Sequence, residues 1–117
     1  HEVLQSIRFN FFPYFMTPCM ITSNEPGLYL EGKHGIRCEN LVLTVPAFEN
    51  KEFGKFYKFE TLTLFPFDLK LFDTQIMTDE EIAWVNNYHK NVYAKLSSHL
   101  DEESRAWLAE KTKTLTR

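Results

Sequence analysis

Apolar and polar positions change their period along this chain, and the changes mark its elements. Residues 20–47 are β-prone and read as a hairpin whose second strand runs Leu41-Val42-Leu43-Thr44-Val45 until Pro46 ends it. Pro26-Gly27 predicts a turn, because proline presets φ and glycine supplies a positive one. Glu31-Gly32-Lys33-His34-Gly35 forms a glycine-rich loop, in which His34 is expected to be solvated because it has no partners at metal-ligand spacing. Residues 48–52 read as a polar connector. Phe56, Lys58, Phe59, Thr61, Leu62 and Leu64 then predict a strand over 55–65, closed by Pro66, with an extended connector over 67–77.

The period then becomes helical. Thr78-Asp79-Glu80-Glu81 fits a capping box with acids in the first turn, and Ile82, Val85, Tyr88 or His89, Val92 and Leu96 recur at helix spacing. Asp101-Glu102-Glu103 opens a second helix through Ala106, Trp107 and Leu108, ending at Thr112–Thr114. His89 and His99 are expected to be packing or surface residues. The fold class is α+β: an antiparallel sheet followed by two carboxy-terminal helices.

The start of the chain fits neither period. Five aromatics crowd Phe9-Asn10-Phe11-Phe12-Pro13-Tyr14-Phe15 around a proline. Either they form an apolar surface that another segment covers, or they fill this domain's own core. The chain opens at His1 rather than Met, which suggests a start inside a longer sequence.

Composition narrows the classes. With 44% apolar residues and eleven phenylalanines, 117 residues can pack a core, so a disordered tail is excluded. A net charge of −3 offers no basic stripe for nucleic acid. No apolar run approaches the ~18 residues a membrane helix needs, and no signal peptide is visible. Two cysteines, Cys19 and Cys38, lack CxxC spacing and fit a reduced, cytoplasmic protein.

The candidate chemistry lies in Glu25 and Glu39. Strands folded back on each other would bring the two carboxylates side by side, with Arg37 on the same face as Glu39 because strand side chains alternate. Taken alone, the pair reads more readily as solvated acids, or acids paired with an arginine, than as a metal site.

Three segments go further. His1-Glu2, Ser23-Asn24-Glu25-Pro26-Gly27-Leu28-Tyr29 and Gly35-Ile36-Arg37-Cys38-Glu39-Asn40 resemble the second half of the pita-bread metallopeptidases, specifically the Xaa-Pro aminopeptidases (aminopeptidase P). Their pattern reads approximately H-E-G-P, S-[ND]-E-P-G-x-Y and G-I-R-x-E-N. The similarity continues through Phe59–Leu64, Trp84–His89 and Ala106–Leu108, nearly the whole chain. Two departures stand out: His1-Glu2-Val3-Leu4 replaces H-E-G-P, and Cys19 occupies the glycine of P-G-M.

The resemblance implies that residues 1–48 belong to the second half of an incomplete pita-bread catalytic domain. Residues 49–117 would then be its carboxy-terminal strand and helical extension. It implies that Glu25 and Glu39 are two of five ligands to a pair of divalent cations, with Glu39 bridging both. His1 would contact substrate, and Arg37 and Tyr29 would orient the ligands. Carboxylate-rich ligation favours Mn²⁺, with Zn²⁺ or Co²⁺ as alternatives. The reaction would release the N-terminal residue from peptides with proline second. The family's two aspartate ligands and its metal-binding histidine lie upstream of the His1 position. The isolated chain is therefore expected to be inactive, to hold no metal tightly, and to self-associate as a homo-oligomer through uncovered sheet surface. The alternative is a non-catalytic pita-bread-like binding or dimerisation module.

Overall fold

A computed structural model describes residues 16–117, which separate into two units, one ending at Thr63 and the other spanning Leu64–Arg117. His1, Glu2 and the aromatic run through Phe15 lie outside the described residues.

The described residues of the first unit form antiparallel sheet. Its strands are β1 (Ile21–Asn24), β2 (Gly27–Leu30), β3 (His34–Arg37), β4 (Asn40–Asn50) and β5 (Gly54–Thr61). β4 lies between β1 and β5, and β2 pairs with β3 as a separate ribbon. The hairpin expected over 20–47 is present and reverses inside the expected glycine-rich loop, not at Pro26-Gly27. The chain reverses at residues 31–33, where Gly32 takes φ +68°, and β3 already begins at His34. Pro26-Gly27 reverses nothing: Gly27 has no positive φ, and proline's missing N–H instead opens a gap between β1 and β2.

Pro46 does not end its strand either. Thr44 exchanges backbone hydrogen bonds with Met20 and Cys19 at 2.9 Å, so its N–H and C=O point toward the β1 side. Pro46, two residues on, points the same way beyond the last paired residue of β1, Ile21. Its missing donor therefore costs no ladder bond, and β4 continues through an irregularity between Pro46 and Phe48. Phe48 stacks on its ladder partner Phe56 at 4.5 Å. The connector shrinks to residues 51–53, closed by Asn50 Oδ1 accepting from the N–H groups of Glu52 and Phe53, and by Gly54 at φ +84°.

The second unit is helical. α1 (Asp79–Leu96) starts on the expected capping box: the Thr78 hydroxyl accepts from the Glu81 N–H, and the Glu81 carboxylate accepts from the Thr78 N–H. α2 (Glu102–Lys111) starts on Asp101, whose carboxylate accepts from the Ser104 N–H at 2.7 Å. Tyr88, Val92 and Leu108 form the core, with Leu64, Phe67, Tyr93, Leu96 and Leu100 packed against it. The connector expected over 67–77 contains a 3-10 turn at Leu69–Leu71. Asn86 binds both backbone groups of Leu115, at 2.7 and 3.0 Å, which fixes the last residues onto α1.

Candidate functional site

The gap in the hairpin is where the two acids meet. Asn24 pairs with Asn40 on one side of it, and Gly27 pairs with Arg37 on the other. Both ladders share one register, so Glu25 falls opposite Glu39 and Pro26 opposite Cys38. The Cys38 N–H still donates to the Pro26 carbonyl at 3.0 Å, which holds the two sides of the gap together.

Carboxylates facing each other across an antiparallel pair repel. Arg37 offsets this. Its Nη1 pairs with Glu25 Oε2 and stands 3.8 Å from Glu39 Oε2. One guanidinium nitrogen thus reaches both acids. The Ser23 hydroxyl donates to the other Glu25 oxygen at 2.7 Å, being two residues away on the same strand face. These bonds hold the Glu25 carboxyl below its usual range, Ser23 contributing most and Arg37 next. The hydrogen bond to Glu25 in turn raises the basicity of Arg37.

Tyr29 lies on the ribbon beyond the gap. Its ring covers Gly27 and Gly35: a Cβ on Gly27 would lie 2.6 Å from the Tyr29 hydroxyl, and one on Gly35 would lie 2.7 Å from the ring. Only glycine leaves room for the ring to lie flat there, and its hydroxyl is close enough to act electrostatically on Arg37.

All three charged side chains keep nearly half their surface exposed, at 42% for Glu25, 46% for Arg37 and 49% for Glu39. Exposed ion pairs of this kind contribute little to stability. Glu25, Arg37 and Glu39 are thus brought together, with Tyr29 alongside. Ser23 is a member that sequence reasoning gave no role; its place two residues before Glu25 on a strand was the available signal.

Carboxylates are hard oxygen donors suited to a divalent cation. Two of them supply too few donors for a dinuclear centre, and among the described residues no group of three or more His, Cys, Asp or Glu could hold an ion. The pair therefore suits part of such a site and not the whole of one.

Cys19 has φ +70°, a region that favours glycine, so the departure from P-G-M falls where a side chain is strained. Both cysteines are free and exposed, not buried as small apolar residues would be.

Comparison with known proteins follows the same outline. The family model described as the C-terminal region of peptidase_M24 matches residues 55–115. "Aminopeptidase P2" of Arabidopsis thaliana is 39% identical over all of this chain and 17% of its own length. "Probable Xaa-Pro aminopeptidase P" of Arthroderma benhamiae is 42% identical over 81% of this chain and 14% of its own. A solved X-prolyl aminopeptidase from Caenorhabditis elegans, described as a cytosolic enzyme with a di-nuclear active site, aligns with a TM-score of 0.74 at 34% identity. That alignment covers 86% of this chain and 17% of the solved one. The chain thus spans about a sixth of the length of the relatives it matches. The α+β arrangement of antiparallel sheet and following helices is that of this pita-bread neighbour. With more than half its length inside the family model, this chain belongs to the peptidase M24 family, in its C-terminal region.

Proposed function

We propose that this chain is the carboxy-terminal part of a dinuclear-metal Xaa-Pro aminopeptidase and contributes two of its metal ligands, Glu25 and Glu39. The observation that carries this reading is the opposition of the two acids across the hairpin gap, both within reach of Arg37. The di-nuclear site described for the Caenorhabditis elegans neighbour supports it. When bound, a pair of divalent cations, with Mn²⁺ favoured over Zn²⁺ or Co²⁺, would activate water and polarise the scissile carbonyl.

This chain's own residues do the holding. Glu39 and Glu25 would be the carboxylates that hold the ions. Ser23 and Arg37 keep Glu25 ionised and oriented, and Tyr29 fixes the guanidinium from the far side. His1 contacts the substrate, a peptide with proline second, and the setting is cytoplasmic. With only two ligands, the chain alone binds metal weakly and does not hydrolyse peptides.

The test has two arms. Titrating the chain with Mn²⁺ by electron paramagnetic resonance should show weak binding that Glu39→Gln removes. The same sample should leave an Xaa-Pro peptide intact; turnover at enzymatic rates overturns the inactivity. Binding unchanged in Glu39→Gln overturns the site. Reading the coding sequence upstream of His1 should reveal two aspartates and a G-H-x-[VI]-G-like segment. Their absence would favour the non-catalytic module.

A further inference from the structure

His89 is fully buried on α1, and its two ring nitrogens are treated differently. Nε2 accepts a hydrogen bond from the Phe67 N–H at 3.0 Å. An accepting nitrogen carries no proton, so the neutral ring holds its hydrogen on Nδ1. Nδ1 is buried and has no hydrogen-bond partner among the described residues. A buried donor left unpaired is unfavourable, a cost that a leucine or phenylalanine here would avoid.

The bond made by Nε2 fixes a particular segment. Residues 62–68 follow β5 without regular structure of their own. They are attached to α1 by neighbouring side chains: the Tyr88 hydroxyl donates to the Phe65 carbonyl at 2.8 Å and lies 3.4 Å from the Phe65 N–H, while His89 takes the Phe67 N–H. The Phe67 ring then rests against Tyr88 at 5.1 Å and His89 at 6.4 Å.

We propose that His89 is an acid-sensitive latch: its neutral ring holds residues 65–68 onto α1, and protonation of that ring releases them. An imidazolium has two N–H donors and no acceptor, so the Phe67 N–H would meet another N–H at a fully buried ring. The closed segment and the charged ring exclude each other.

Among the described residues no ion pair offsets this. Tyr88, the titratable group in ring contact, is engaged with Phe65; Asp68, beside Phe67, accepts from the Lys70 N–H; the described ion pairs do not include His89. Burial alone acts on the ring and pushes its pKa below the usual 6.5. The sign follows: a lowered folded-state pKa leaves the latch fully engaged above pH 6.5 and weakens it as pH falls below that value.

The test is amide hydrogen exchange of the whole chain by NMR from pH 7.5 to 5.0, corrected for intrinsic rates. Protection of the Phe67 amide should fall at least tenfold over that range, while the Arg105 amide inside α2 keeps its own. In His89→Gln, whose side-chain oxygen accepts at the Nε2 position and does not titrate, the Phe67 loss should vanish. The same loss in His89→Gln, or steady protection in the unmodified chain, overturns the latch. Should His89→Gln not fold, the ring's own titration decides. A His89 ring that protonates while the Phe67 amide stays protected overturns the proposal, and protonation coincident with exchange upholds it.

Discussion

The two units protect their apolar residues in opposite ways. In Leu64–Arg117, Val92 is 0% and Leu108 2% exposed, and the rings of Phe67, Trp84 and Tyr88 pack on one another. In the sheet, Leu28 is 58% and Phe59 54% exposed, and the buried positions of β4 are Asn40, Val42 and Thr44, of which only valine is apolar. The helical unit is therefore held by packing. The sheet is held by ladder hydrogen bonds, which set the register but bury little. The acid pair belongs to the second kind of structure: a shared register, not a core, puts Glu25 opposite Glu39.

Breaking the helical core should have the largest effect. Leu108→Ala should cost about 2–5 kcal/mol, as expected for a fully buried leucine. Leu28→Ala in the ribbon should cost under ~0.5 kcal/mol, as exposed substitutions do. Both tryptophans, Trp84 and Trp107, lie in the helical unit, so in urea unfolding their fluorescence reports Leu108→Ala, while circular dichroism of the sheet reports Leu28→Ala. Equal costs for the two substitutions would erase the contrast.

Asn86→Ala comes next. It removes both hydrogen bonds to Leu115 and leaves backbone groups unpaired in a half-buried place, which should cost about 2 kcal/mol on the same fluorescence readout.

Smaller again is Cys19→Gly, which relieves a side chain at φ +70°. Left-handed strain of ~1–2 kcal/mol is offset in part by the greater freedom of unfolded glycine, so a gain under about 1 kcal/mol should appear in sheet unfolding by circular dichroism.

Ser23→Ala should leave stability nearly unchanged and act on the site alone. The Glu25 carboxyl loses the bond that lowers it most, so its pKa should rise toward 4.5 in a carbon-detected NMR titration. Because the folded-state value is lowered, the contribution of Glu25 is present above pH 4.5 and lost below it. Ser23→Ala should narrow that window. An unmoved titration would mean that Arg37 alone sets the carboxyl.

Much of this was legible in the residues. The α1 start at Thr78 depends on bonds three residues apart, so its four-residue pattern suffices. The periodicity also marks Ile82, Val85, Tyr88 or His89, Val92 and Leu96, and of these the structure buries Val85, both Tyr88 and His89, and Val92. The gap at Pro26-Gly27 was not legible as such, because the dipeptide commonly makes a turn and here makes an interruption. Pro46 misleads in the same way, since whether a missing N–H ends a strand depends on where β1 stops. The bond from Phe67 to His89 joins residues 22 positions apart, beyond any local pattern.

The amino-acid sequence by itself determined the α+β class, the helix starts and the family, because caps, periodicity and motifs are encoded within a few neighbouring residues. Tertiary structure decided how the expected meeting of Glu25 and Glu39 is made, across a gap flanked by two ladders in one register, that one nitrogen of Arg37 reaches both, and that His89 holds a distant backbone N–H. Those depend on which strands and segments meet, and that is set by the summed pairing and burial of the whole chain.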